Sequence, residues 1–148
     1  MKKEMEIMAP MPPGFKEKIQ QEFCSESEIF VMQKMLTTND LFRRHCHLCI
    51  PSELILNKFL NDEEEAFLQT YNSYGRRNQI DAKIIDPGLK MGSIKVWKRG
   101  TPTDTKHFYL GSGWRRIVTE YDLKEGEFVR LWAVRVANKT LCFVLVRL

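Results

Sequence analysis

The stretch Phe108-Tyr109-Leu110-Gly111-Ser112-Gly113-Trp114-Arg115-Arg116-Ile117-Val118 is the key to the fold. Its first part reads as a strand that stops at glycines. A short helix carrying Trp114, Ile117 and Val118 follows, then a turn at Gly126 and a second strand from Phe128. Just upstream, Trp97-Lys98-Arg99-Gly100-Thr101-Pro102-Thr103-Asp104-Thr105-Lys106-His107 is a polar, partly basic loop between two strands. A rigid hairpin with a basic tip suits the probing of a nucleic-acid groove.

Working outward, Ile80, Ala82 and Ile84 alternate with Asp81, Lys83 and Ile85, the period of a half-buried strand. Asp86-Pro87-Gly88 is a turn, and Ile94 and Val96 alternate with Lys95 and Trp97. Phe128 to Val136 and Leu141 to Leu148 form a terminal hairpin around Asn138-Lys139. Toward the amino terminus, Ile29 to Leu36 and Leu48-Cys49-Ile50-Pro51 read as strands. Between them, Thr37-Thr38-Asn39-Asp40 is a turn or cap cluster. Ser52 is expected to cap a short helix bearing Leu54, Ile55, Phe59 and Leu60. Asn61 and Glu64 stand at capping-box spacing for a second helix, with Phe67, Leu68 and Tyr71 on its apolar side and Gly75 at its end. Phe15, Ile19 and Phe23 make one apolar stripe on an amino-terminal helix expected to pack on the domain. Residues 1–28 are thus read as a flexible arm plus helix, and 29–148 as a mainly β domain, a small closed or nearly closed barrel.

With 148 residues, 43% hydrophobic and 11% aromatic, the chain can enclose one core. A net charge of +4 permits an acidic partner without demanding one. No apolar run is long enough to span a bilayer. Met1-Lys2-Lys3-Glu4-Met5-Glu6 has no apolar core behind it, so no secretory signal is expected, and the four cysteines read as reduced thiols.

His45-Cys46-His47-Leu48-Cys49 invites a zinc reading. The segment ends in a strand, where residues three apart face opposite ways, and no second Cys-x₂-Cys follows; core thiols and surface histidines are expected, with no metal and no cofactor. Asp81, Lys83 and Asp86 do not have a spacing that compels a nuclease centre, and there is no phosphate-binding glycine loop or nucleophile elbow, so no enzyme and no small-molecule substrate are expected. Arg43-Arg44, Arg76-Arg77, Lys98-Arg99 and Arg115-Arg116 are basic pairs; a functional patch requires the first and third to share a face. Trp97, Trp114 and Trp132 are expected in the core.

Six segments in order resemble the plant B3 DNA-binding domain, and more narrowly the B3-related plant group known as a domain of unknown function. They are Phe30 to Leu36 with Thr38-Asn39-Asp40; Leu48-Cys49-Ile50-Pro51; Phe59-Leu60 with Glu63-Glu64-Glu65; Ile94 to Trp97; Tyr109-Leu110 with Gly113-Trp114; and Leu123 to Trp132 with Leu141-Cys142-Phe143. The resemblance spans approximately residues 30 to 146. It implies a seven-stranded open β-barrel, the B3-type pseudobarrel, with short flanking helices and two arms entering the major groove of double-stranded DNA. It also implies a nuclear transcription regulator.

On that resemblance the first arm runs from Lys34 to His47 and the second from Lys98 to Lys106. Lys34, Arg43 and Arg44 suit phosphates or guanine edges; Asn39 suits adenine or a turn cap; Thr37, His45 and His47 complete the first arm's candidates. Lys98, Arg99, Thr101, Thr103 and Lys106 are those of the second. Asp104 departs from the basic or amide residues usual near that tip. With the modest charge it leaves open a module on the same barrel that binds regulatory proteins, DNA binding being weak or lost.

Overall fold

Seven strands make one curled sheet: β1 (Glu28–Met35), β2 (Leu48–Ile50), β3 (Ile80–Ile85), β4 (Met91–Arg99), β5 (His107–Gly111), β6 (Phe128–Arg135) and β7 (Leu141–Arg147). Their spatial order is β1-β6-β7-β3-β4-β5-β2. Pairing is antiparallel except between β3 and β7. Helices α1 (Pro13–Phe23), α2 (Thr38–Leu41), α3 (Asp62–Leu68) and α4 (Trp114–Glu120) and a 3-10 turn at Ser52–Leu54 complete the architecture, the expected open pseudobarrel. The computed structural model describes residues 11–23, 28–41, 46–99, 107–136 and 139–148.

Side-chain alternation fills two layers. Val129, Leu131 and Ala133 of β6 and Leu141, Phe143 and Leu145 of β7 point into the barrel. The intervening Trp132, Val134, Cys142, Val144 and Val146 point outward and are buried there against Met11 and Ile19. Both faces of this hairpin read apolar because α1 covers the second one. Ile19 is 3% exposed; its burial contributes about 1.5–3 kcal/mol, and Phe30 stacks on Trp132 at 4.8 Å. Burial pushes the Cys142 thiol up to about 12, so it stays protonated.

A bulge in β1 sets up the first arm. Phe30 pairs with Trp132 but Met32 with Leu131, so Val31 is an extra residue. Val31 and Met32 consequently both enter the core. Every later side chain of β1 changes face, and Lys34 turns inward. The open edge between β1 and β2 is bridged by Leu56 N–H donating to Val31 O (2.8 Å), Asn57 Nδ2 to Phe30 O (2.9 Å) and Lys34 Nζ to Cys49 O (2.8 Å).

Two local expectations change. Ser52 is the first residue of the 3-10 turn and makes no side-chain cap, since Pro51 holds the cap position. The helix begun by Asn61 ends at Leu68, and Gly75 belongs to a later turn. Its capping box is present, with Glu64 N donating to Asn61 Oδ1 (2.8 Å) and Asn61 N to Glu64 Oε1 (2.9 Å).

The same Glu64 pairs with Arg135 of β6 through both guanidinium nitrogens and fastens α3 across the barrel end. Burial pushes the carboxyl upward, but the bonds from Arg135 and the Asn61 backbone outweigh it and hold Glu64 below its ordinary 4.5. A carboxyl depressed by folding stabilises the fold above its unfolded pKa, and that contribution fades as pH falls through the folded value. Stability should therefore drop below about pH 4.5. Urea midpoints measured across that range should show a flatter acid limb for Glu64→Gln; identical limbs would rule Glu64 out as a source of it.

Candidate nucleic-acid interface

The outer face of β4, β5 and β2 is the floor of a concavity of about 950 Å³. Register explains its lining. Trp97 of β4 lies opposite Tyr109 of β5, which lies opposite Cys49 of β2. Trp97 and Tyr109 stack at 5.9 Å and 15°, and His47 meets both edge-on at 5.0 and 6.1 Å. The indole lies against the Gly111 backbone, in the space a Cβ would fill. Trp97 is therefore a half-exposed part of the floor, not core as expected, while Trp114 and Trp132 are buried. Burial foremost raises the Cys49 thiol and the Tyr109 phenol, so both stay neutral near pH 7.

The walls are basic. Arg99 is exposed and lies over the Tyr109 ring at 5.9 Å. Arg76 and Arg77 also line it, with Tyr71 and Gln79, and so does Asn39 of α2. Among the described lining residues the one carboxylate is Asp40, fully buried and paired with Lys34 at 2.9 Å. The concavity thus carries three guanidinium groups facing a neutral floor, an arrangement that attracts polyanions.

Asp40 is the hub that fixes the first arm's stem. Its Oδ1 accepts from Lys34 Nζ (2.9 Å) and Cys49 N (3.0 Å). Its Oδ2 accepts from Thr37 N (2.9 Å) and Thr37 Oγ1 (3.0 Å). Its backbone carbonyl accepts from the buried Trp114 Nε1 at 2.7 Å. Gly113 makes this possible: a Cβ there would sit 2.2 Å from Ser93 O, so only a glycine lets α4 approach β4 closely enough. The Gly113-Trp114 pair, prominent in the sequence, connects the barrel floor to the first arm.

The sequence candidates divide accordingly. Asn39, His47 and Arg99 come together in the concavity. Lys34 does not: it is 7% exposed, turned inward by the bulge and held by Asp40 and Cys49 O, so it braces the arm. Lys98 does not either. It shares the inward face of Ile94 and Val96, and its ammonium lies 5.0 Å from the Phe108 ring centroid and 3.8 Å from Glu65. Thr37 is exposed, yet its hydroxyl is engaged by Asp40. Arg43, Arg44, His45, Thr101, Thr103 and Lys106 lie outside the described residues. The nuclease arrangement does not assemble: Asp86 is buried, bound by Tyr121 Oη at 2.8 Å and by the Gly88 and Lys90 N–H groups, while Asp81 pairs with Lys95 at the surface. Sequence reading missed Arg76, Arg77 and Tyr71 as lining residues; the Arg76-Arg77 doublet was visible, but its side of the barrel was not.

Known proteins resemble the chain in sequence over most of its length. The B3 domain-containing protein At2g24670 of Arabidopsis thaliana is 29% identical over 119 residues, covering 80% of this chain and 47% of the relative. At2g31720, a B3 domain-containing protein of the same plant, is 31% identical over 107 residues, covering 71% of this chain and 34% of the relative. The chain thus spans less than half the length of these curated relatives. A solved structure, the Arabidopsis FUS3-DNA complex, aligns with 80% of this chain and 95% of its own at a TM-score of 0.49 and 16% identity. The family model for B3 domain-containing protein At2g31720-like matches residues 14–148, from within α1 to the last residue, and the chain belongs to that B3 domain family.

Proposed function

We propose that this B3 domain binds double-stranded DNA across the concave face of β4, β5 and β2, reads sequence in the major groove with its two arms, and acts in the nucleus as a transcription regulator. One observation carries the reading: Arg76, Arg77 and Arg99 surround a neutral aromatic floor between the stems of the two arms, and the lining carboxylate, Asp40, is buried and paired. Such a surface favours a polyanion such as the phosphate backbone over a cationic or apolar ligand.

Roles follow from chemistry. Arg99 and Arg76, with Arg43, Arg44 and Lys106, supply phosphate contacts or guanine readout. Asn39 has the amide geometry for adenine, and His47, His45, Thr101 and Thr103 offer hydrogen bonds to base edges or phosphates. Lys34, Thr37 and Lys98 hold the arm stems.

Selection of bound duplexes from a random pool tests the reading. A defined motif should emerge for the wild-type protein, and the double variant Arg44→Ala/Arg99→Ala should enrich a weaker or different one. Arg99→Ala alone should weaken duplex binding about tenfold, consistent with loss of one charge-assisted contact of about 1–2 kcal/mol. Anisotropy titration of a labelled duplex measures this. Enrichment of no motif by the wild-type protein would reject sequence reading, and selective capture of single strands would reject the duplex.

A further inference from the structure

We propose that the Tyr71–Arg77 hairpin is a third grip on the duplex, holding the sugar–phosphate backbone beyond the segment embraced by the two arms. The proposal rests on the DNA-binding reading above and adds a contact element that neither arm supplies.

The segment Tyr71-Asn72-Ser73-Tyr74-Gly75-Arg76-Arg77 connects α3 to β3, and it is a built hairpin. Tyr71 and Arg77 form an antiparallel bridge. Asn72 N donates to Arg76 O at 2.7 Å, and Gly75 N to Asn72 O at 3.0 Å. The Asn72 side-chain oxygen accepts from Tyr74 N (2.9 Å) and Arg76 N (3.1 Å). Gly75 takes φ +76°, the left-handed conformation that closes such a turn. Below it, Asn78 N donates to Thr70 O at 3.0 Å, and the Asn78 amide reaches the Thr70 hydroxyl.

The hairpin is also held in place. Arg77 Nη1 donates to Lys98 O at 3.0 Å, one residue before Arg99 on β4, and the guanidinium lies 5.6 Å from the Tyr71 ring centroid. Arg77 is therefore a positioning residue that fixes the hairpin beside the second arm's stem. Its neighbours face outward: Arg76 is exposed, Tyr71 is 59% exposed and Tyr74 is 87% exposed. A tyrosine so exposed at a rigid tip does nothing for the core. Arg76 and Tyr71 line the same concavity as Arg99 and Asn39, and the segment contains no carboxylate. Guanidinium and phenol hydroxyl groups on a stiff turn suit phosphate oxygens, and contacts of that kind carry no sequence information.

The test uses the full chain and the double variant Tyr74→Ala/Arg76→Ala, whose exposed side chains can be removed without disturbing the core. Duplexes carrying the selected motif and duplexes of scrambled sequence are both titrated, and protected length is read by hydroxyl-radical footprinting. The expected result is an affinity loss of about tenfold on both duplexes, a salt slope shallower by about one, a shorter footprint and an unchanged selected motif. Asn72→Ala, which loosens the turn but keeps both contact groups, should lose part of the same affinity. Wild-type affinity, slope and footprint in the double variant would overturn the third grip while leaving the two-arm reading intact. A changed motif would overturn the backbone role. Failure of the wild-type protein to bind any duplex would overturn the reading on which the proposal rests.

Discussion

Replacing Asp40 by alanine is expected to lower the melting temperature by about 6–20 °C, since stranding a buried charge costs about 3–5 kcal/mol and each kcal/mol moves a domain of this size by about 2–4 °C. Asp40 is fully buried and its carboxylate accepts four hydrogen bonds. Removing it leaves the ammonium of the buried Lys34 side chain with the Cys49 carbonyl as its remaining acceptor among the described residues. It also releases Cys49 N and both donors of Thr37. The partner substitution is unequal: in Lys34→Met the carboxylate keeps its bonds from Cys49 N, Thr37 N and Thr37 Oγ1. Lys34→Met should therefore be clearly less destabilising than Asp40→Ala. Thermal melts of the two variants decide the matter; equal losses, or a small loss for Asp40→Ala, would show that the hub is not what holds the first arm.

Gly113→Ala is expected to cost about 3 kcal/mol, the upper end for overpacking, because the added methyl meets backbone. Its Cβ would lie 2.2 Å from Ser93 O, an atom of β4 that no rotamer change can move aside. Relief requires α4 to lift from the sheet. That shift draws Trp114 out of its fully buried site and stretches its 2.7 Å bond to Asp40 O. The variant should therefore lose stability and loosen the first arm together, seen as a lowered urea midpoint with faster amide exchange over α2. Gly14→Ala serves as the control: its Cβ would meet Leu89 at an ordinary 3.7 Å, so it should be neutral or slightly stabilising in α1. Equal midpoints for the two alanine variants would refute the close-approach account.

Much of the fold was legible because its signals are local. Alternation marked β3 and β4, two apolar runs about Asn138-Lys139 marked the β6–β7 hairpin, and Asn61 with Glu64 marked the start of α3. What escaped was non-local. The β1 bulge adds one residue, Val31, and so reverses Lys34 from groove to interior; nothing in the local pattern announces it. Lys98 was different, because the Ile94–Val96 parity extended by one step already points it inward, leaving Arg99 facing out. Trp97, Tyr109 and Cys49 form a row only because three strands pair in that register. Arg76-Arg77 reads as a solvated exit loop until Arg77 is seen bonded to the carbonyl of Lys98, 21 residues away.

The central claim is that a duplex lies against the concave face and is held through its phosphates. Salt titration of duplex binding measures this most directly. If about five phosphates are neutralised, log affinity should fall against log salt with a slope of about −4 to −5, and Arg99→Ala should make that slope shallower by about one. Absence of duplex binding even at low ionic strength, or a slope near zero, would contradict it.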